Sequence, residues 1–166
     1  LFICTHNRCR SILAEALTNH LGGDSLEARS AGSQPAGEVH PRTIAHLEKR
    51  GVSTAGLRSQ SWDDLEQYQP DVVITVCDRT AGESCPLWFD DSIRLHWGLA
   101  DPSSVSGSEA VIEQAFEVCS DTLSNKIQGL KKVGELPESR WRETSAEMQL
   151  DSRYGLSRVL RAPGNA

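Results

Sequence analysis

The chain has 166 residues and 38% hydrophobic content, enough for one domain that buries roughly two-thirds of its unfolded surface. Its net charge of −6 speaks against a nucleic-acid or anionic-membrane surface, which would need clustered Lys and Arg, and no apolar run approaches the ~18 to 20 residues of a membrane-spanning helix. Five cysteines, an odd number in a chain of this size, argue against a disulfide framework and for reactive thiols or a metal site; with no signal-peptide pattern at the N-terminus, the expectation is a cytoplasmic protein.

Leu1 to Ile3 reads as the end of a buried strand, followed by the loop "CTHNRCRS" over residues 4–11. Ile12, Leu13, Ala16, Leu17 and Leu21 then form a helical stripe that Gly22-Gly23 stops. The alternation in "LEARSA", residues 26–31, predicts a second strand ended by Gly32. "HPRTIAHLEKRG" predicts a helix with Pro41 near its start and Gly51 as its stop. A short helix capped by Ser61 is expected over "SWDDLEQYQ". Val72 to Val76 is an unbroken β-branched run, the mark of a strand buried on both faces of a parallel sheet. Ile93 to Trp97 supplies a fourth strand, and Ile112, Phe116, Cys119, Leu123, Ile127 and Leu130 mark one face of a long helix from Ser108 onward. The order βαβαβ, then β and α, predicts an α/β three-layer sandwich around an open four-stranded parallel sheet over residues 1–133. Residues 134–166 read as a C-terminal extension carrying one marginal helix.

In open parallel sheets, ligands bind at the carboxyl ends of the strands. Cys4 follows the first strand, Cys77 follows "VVITV" and Asp101-Pro102 comes shortly after "IRLHW", so the three are expected on one edge. Cys85 sits eight positions after Cys77 on the loop "CDRTAGESCP". Residues 4–11 join a strand to a helix, where successive backbone N–H groups can curl around an anion and the helix dipole favours negative charge. Thr5, His6, Asn7, Arg8, Cys9 and Arg10 form this candidate oxyanion cradle, with no acid before Glu15. A thiol with a pKa of about 8.5 is only ~3% thiolate at pH 7, whereas one lowered to about 6 is ~90% thiolate. That shift needs on the order of 3 kcal/mol, which an anion cradle and a hydroxyl donor can supply. Ser11 is the candidate donor to Cys4, and Arg10 has the planar fork that grips a tetrahedral oxyanion. Cys9 and Cys119 read as packing residues. A zinc site built from Cys4, Cys9, Cys77 and Cys85 lacks the two-residue knuckles usual for zinc and would leave Arg8 and Arg10 without a task.

The pattern Cys4, five residues, Arg10, Ser11 resembles the phosphate loop of low-molecular-weight protein tyrosine phosphatases and of the arsenate reductases that share their fold. Together, "CTHNRCRSILAEA", "RSAGSQPAGEVHP", "VITVCDRTAGESCP" and "HWGLADP" are most similar to the thioredoxin-coupled arsenate reductases. The resemblance implies a relay for arsenic detoxification. Cys4 attacks arsenate, Asp101 protonates the departing oxygen, Cys77 attacks Cys4 so that arsenite leaves, and Cys85 opens the resulting disulfide. A Cys77–Cys85 disulfide is left for thioredoxin, and phosphate or sulfate can occupy the arsenate site. No cofactor is required, although the family carries a potassium ion in some members, surrounded here by Asn7, Glu15, Ser30 and Asp63. The alternative is a phosphatase that hydrolyses phosphomonoesters through a phosphocysteine. Phosphatases of the family often place an aromatic residue after Asp-Pro to line a phenol pocket; here Ser103-Ser104 follows.

Overall fold

Four short runs of small and branched residues pair into one sheet. β1 (Phe2–Cys4), β2 (Ser30–Gly32), β3 (Val72–Thr75) and β4 (Ile93–His96) are all parallel, in the order β2-β1-β3-β4. The structure is a computed structural model that describes residues 1–77 and 89–150, apart from the side chain of Leu150. The chain passes from β1 outward to β2, then returns to place β3 on the other side of β1. The strand order therefore reverses between β1 and β3, the position where open α/β sheets bind their ligands.

Side chains alternate across the sheet. Phe2, Cys4, Ile74, Leu95 and Trp97 face a core filled by α1 (Arg10–Leu21) and α3 (Glu109–Gly134) through Leu13, Leu17, Phe116, Leu123 and Ile127. Burying each large apolar side chain of this set contributes about 1.5–3 kcal/mol. Leu1, Ile3 and Val73 face the other way, onto Leu65 and Phe89, with Trp62 and Tyr68 packed beside them. α2 (Pro41–Lys49) begins with proline at its first turn, and His40 Nδ1 accepts the Arg42 N–H at 3.1 Å. Among the described residues, no helix is long and apolar enough to cross a membrane.

Two elements are shorter than their sequence patterns predict. The alternation over 26–31 yields pairing at Ser30–Gly32 alone, because the Asn19 side chain accepts from Ala28 N at 2.8 Å and donates to Ala28 O at 3.0 Å, occupying backbone groups a ladder would use. "SWDDLEQYQ" forms a single 3-10 turn, Trp62–Leu65, closed by a reciprocal capping box between Ser61 and Asp64. Past the long helix, α4 (Glu138–Leu150) buries Met148 and Ser145. Its Gln149 amide accepts from His96 N at 3.1 Å and donates to His96 O at 3.0 Å, standing in for a neighbouring strand on the sheet edge.

Candidate active site

The loop between β1 and α1 is shaped by where its carbonyls go. Thr5 O accepts from Gln34 N at 2.9 Å, His6 O from Ala36 N at 2.9 Å and Arg8 O from His40 N at 3.0 Å, so these three carbonyls point outward into residues 34–40. Across a planar trans peptide, the next N–H points the opposite way, which turns the N–H groups of His6, Asn7 and Cys9 toward the inside of the loop. The His6 N–H reaches Cys4 and favours its thiolate. α1 begins without a side-chain cap or an acid in its first turn, so the positive end of its dipole stays available to an anion. Gly32 is required at the loop's back wall: a Cβ there would stand 2.5 Å from Thr5 O and 2.9 Å from Cys4 O.

Asn7 holds the loop from behind. It is fully buried with φ at 46°, a left-handed conformation, and all its amide hydrogen-bonding groups are engaged. Nδ2 donates to Ser11 Oγ at 2.8 Å and to Ser30 Oγ at 2.9 Å, while Oδ1 accepts from Gln60 N at 2.9 Å. Its side chain therefore turns away from the cleft.

That cleft, about 340 Å³, is lined by Cys4, Thr5, His6, Arg8, Cys9, Arg10, Cys77, Asp101, Ser103 and Ser104. It lies at the carboxyl ends of β1, β3 and β4, so Cys4, Arg10, Cys77 and Asp101 meet there. Cys85 lies outside the described residues. Cys4 and Cys77 are both buried, and Cys77 Sγ also sits 3.7 Å from Thr5 Oγ1.

The neighbouring Cys77 thiol corrects the expectation of a Cys4 thiol lowered by the loop. Interaction with Cys77, burial and repulsion from Cys77 push Cys4 well above the usual thiol range, while Arg10 and the His6 N–H pull the other way. Either sulfur of the pair can carry a negative charge, but not both. Cys9 is pushed up to about 11 by burial, against a hydrogen bond to Thr43. Cys119 is pushed up to about 12, again by burial, and both are neutral packing thiols at ordinary pH.

Arg10 spans the cleft: it donates to Leu99 O at 2.9 Å and stands 3.7 Å from Asp101 Oδ2. Asp101 caps the 3-10 turn Pro102–Ser104. Burial alone would raise its carboxyl, but the Ser103 hydroxyl, Arg10, the Ser103 N–H and the Ser104 hydroxyl outweigh burial and hold it below the usual carboxylate range.

A family model described as low molecular weight phosphotyrosine protein phosphatase matches residues 1–139. The chain belongs to that family. Within it, the chain is 32% identical over 127 residues to arsenate reductase 2 of Staphylococcus saprophyticus, covering 76% of this chain and 91% of that protein. It superimposes on an arsenate reductase in the phosphate binding state with a TM-score of 0.61 at 30% identity, covering 76% of this chain and 94% of the other. The thioredoxin-dependent arsenate reductase of Corynebacterium glutamicum matches with a TM-score of 0.54 at 31% identity, covering 90% of this chain and 60% of that one.

Three of the four residues that the family resemblance sets around potassium meet behind the phosphatase-type loop. Ser30 N donates to Glu15 Oε1 at 2.9 Å and Ser30 Oγ accepts from Asn7 Nδ2 at 2.9 Å, which brings a carboxylate and a hydroxyl oxygen together, while the Asn7 amide oxygen is turned to Gln60 N. Burial pushes the Glu15 carboxyl up to about 7, against the Ser30 N–H and the positive charge of Arg29, the N-terminus and Arg58. Asp63 stands apart, exposed on the Trp62–Leu65 turn, with its N–H donated to Ser61. Among the described residues, no group of three or more His, Cys, Asp or Glu side chains is placed to hold a metal ion. Thr43, Gln60 and the Leu99 carbonyl support the site without any sequence signal, since each acts through a contact that only the folded chain creates.

Proposed function

We propose that this protein is an arsenate reductase that converts arsenate to arsenite by a three-cysteine thiol/disulfide relay. The observation that supports the reading is the pair of buried thiols, Cys4 and Cys77, lining one cleft with Arg10 and Asp101. A phosphomonoester hydrolase of this family gains nothing from a second buried thiol against its nucleophile.

The inward N–H groups of the loop and the Arg10 fork take the oxyanion. Cys4, as the charged member of the thiol pair after its proton has gone to solvent, attacks arsenic, forming an S–As bond as one As–O bond breaks, and Asp101 gives its proton to the oxygen that departs as water. Once Cys4 is bound to arsenic, Cys77 loses its own proton to solvent and its thiolate attacks Cys4 sulfur. The S–S bond forms, the S–As bond breaks, and its electron pair leaves with arsenic as arsenite. Cys85 attacks Cys77 and releases Cys4, ending at a Cys77–Cys85 disulfide that an external dithiol reduces. Each exchange needs the two Cβ atoms within about 4.5 Å, which the Cys4–Cys77 contact favours for the first of them.

The name of the Corynebacterium neighbour supports thioredoxin as that dithiol. A reducing cytoplasm is the compartment in which such thiols are kept ready. Of the residues named for potassium, Glu15 and Ser30 offer oxygens that would hold the ion, which would supply positive charge behind the loop, while Asn7 would brace Ser30 through its amide nitrogen; no step depends on the ion.

Purified protein supplied with thioredoxin, thioredoxin reductase and NADPH is expected to consume NADPH only once arsenate is added. Hydrolysis of an aryl phosphate with no arsenate-dependent NADPH consumption would favour the phosphatase reading instead.

A further inference from the structure

The acid of the cleft is held more elaborately than a capping residue requires. The Ser103 N–H already satisfies the turn by donating to Asp101 Oδ1 at 2.9 Å, yet the Ser103 hydroxyl reaches the same oxygen at 2.7 Å. Ser104 Oγ donates to the other oxygen, Oδ2, at 3.1 Å, and Oδ2 is also the one that faces Arg10 at 3.7 Å. Both serines line the cleft with Asp101.

We propose that the hydroxyls of Ser103 and Ser104 are positioning residues for Asp101, with Ser103 occupying Oδ1 so that Oδ2 is the oxygen that carries and delivers the proton. The proposal rests on Asp101 being the acid of the arsenate reductase reading above.

The two carboxylate oxygens are unequal. Oδ1 accepts two hydrogen bonds from a single residue, which fill both of its lone-pair directions. Oδ2 keeps one serine and an arginine at salt-bridge distance, and the arginine is the group a tetrahedral oxyanion would claim. An arriving dianion draws Arg10 away from Oδ2 and adds negative charge beside it, and both changes favour protonation there. Loss of the proton to the departing oxygen returns Oδ2 to carboxylate, which Ser104 and Arg10 then hold again. Proton and charge balance: one proton leaves Asp101 for each water formed, and one is regained from solvent before the next turnover.

The titratable and charged groups that face Asp101 among the described residues are Arg10 from α1, Cys9 from the loop, His40 at the start of α2 and Cys119 from α3. Burial, Arg8 and Arg42 depress His40, which Asp101 counters. With His40, Cys9 and Cys119 uncharged at neutral pH, Arg10 and the serine hydroxyls are left to set the acid strength of Asp101.

The test follows the Asp101 carboxyl by carbon-13 NMR across pH in the wild-type protein and in Ser103→Ala, Ser104→Ala and Ser103→Thr, with the pH profile of arsenate turnover measured on the same samples. Ser103→Ala keeps the backbone cap, so the turn persists. Removing a hydroxyl that donates to a carboxylate raises its pKa by about one pH unit, and the alkaline limb of kcat/KM is expected to rise with it. Ser104→Ala shows the smaller rise, and Ser103→Thr restores both quantities. An Asp101 midpoint that stays put in both alanine variants overturns the serine proposal, whatever the enzyme does. If the midpoint moves but Asp101→Asn keeps arsenate turnover and its alkaline limb, it is the acid role of Asp101 that fails.

Discussion

Cys77→Ser protein, given thioredoxin, its reductase and NADPH, is expected to lose arsenate-dependent NADPH consumption by on the order of a thousandfold or more. The hydroxyl fills nearly the same space beside Cys4 and Thr5, so the cleft and its anion loop persist. What disappears is the sulfur that attacks Cys4, and no other described thiol can replace it. Cys9 and Cys119 are buried, and burial pushes their pKa values up to about 11 and about 12. The same substitution removes the group that most strongly opposes ionisation of Cys4. Slow hydrolysis of an aryl phosphate, which needs Cys4, Arg10, the loop and an acid such as Asp101 but not Cys77, should therefore survive or increase. The pair of outcomes separates a broken relay from a broken site. Normal arsenate reduction by Cys77→Ser protein would remove Cys77 from the mechanism.

The second large effect concerns stability. Asn7→Ala is expected to cost about 3 to 5 kcal/mol, a substantial part of the ~5–15 kcal/mol that holds a domain together. The substitution strips Gln60 N–H of its buried acceptor, deprives Ser11 and Ser30 of a donor, and forces alanine into a left-handed backbone at a further cost of about 1 kcal/mol. Asn7→Gly should recover roughly that last kilocalorie and no more, because glycine accepts the conformation but restores no hydrogen bond. Urea unfolding monitored by tryptophan fluorescence measures both. A loss below about 1 kcal/mol in Asn7→Ala would mean that the amide does not hold the loop.

The parallel sheet was legible because β-branched residues cluster where strands are buried, as at Val72 to Ile74, and because each chemistry-bearing residue follows a strand. The phosphatase-type loop was legible from the spacing of Cys4, Arg10 and Ser11. Three things were not. The protonation of Cys4 depends on Cys77, whose approach comes from β3 pairing beside β1 and leaves no local trace. Strand length at β2 is set by Asn19, which reaches Ala28 from the helix preceding it. Gln149 binds the edge strand through a polar side chain on a helix whose apolar pattern is weak. In each case a polar side chain or a thiol acts on a partner distant in the chain or in another element, which hydrophobic periodicity does not encode. Asp101 gives a subtler case: its position after β4 was readable, but the inequality of its two oxygens emerges only from Ser103, Ser104 and Arg10 together.

Arsenate is reduced by electrons from this chain's own thiols, with the oxidation handed from Cys4 to Cys77 and then to Cys85, so that Cys77 and Cys85 are the net donors. The direct measurement is peptide mass spectrometry of fully reduced protein treated with one equivalent of arsenate, without thioredoxin, and then trapped with an alkylating agent. The expected product is a Cys77–Cys85 disulfide with Cys4, Cys9 and Cys119 alkylated or recoverable as thiols, and one arsenite formed per disulfide. Five free cysteines after arsenate treatment, or a disulfide that excludes Cys77, would contradict it.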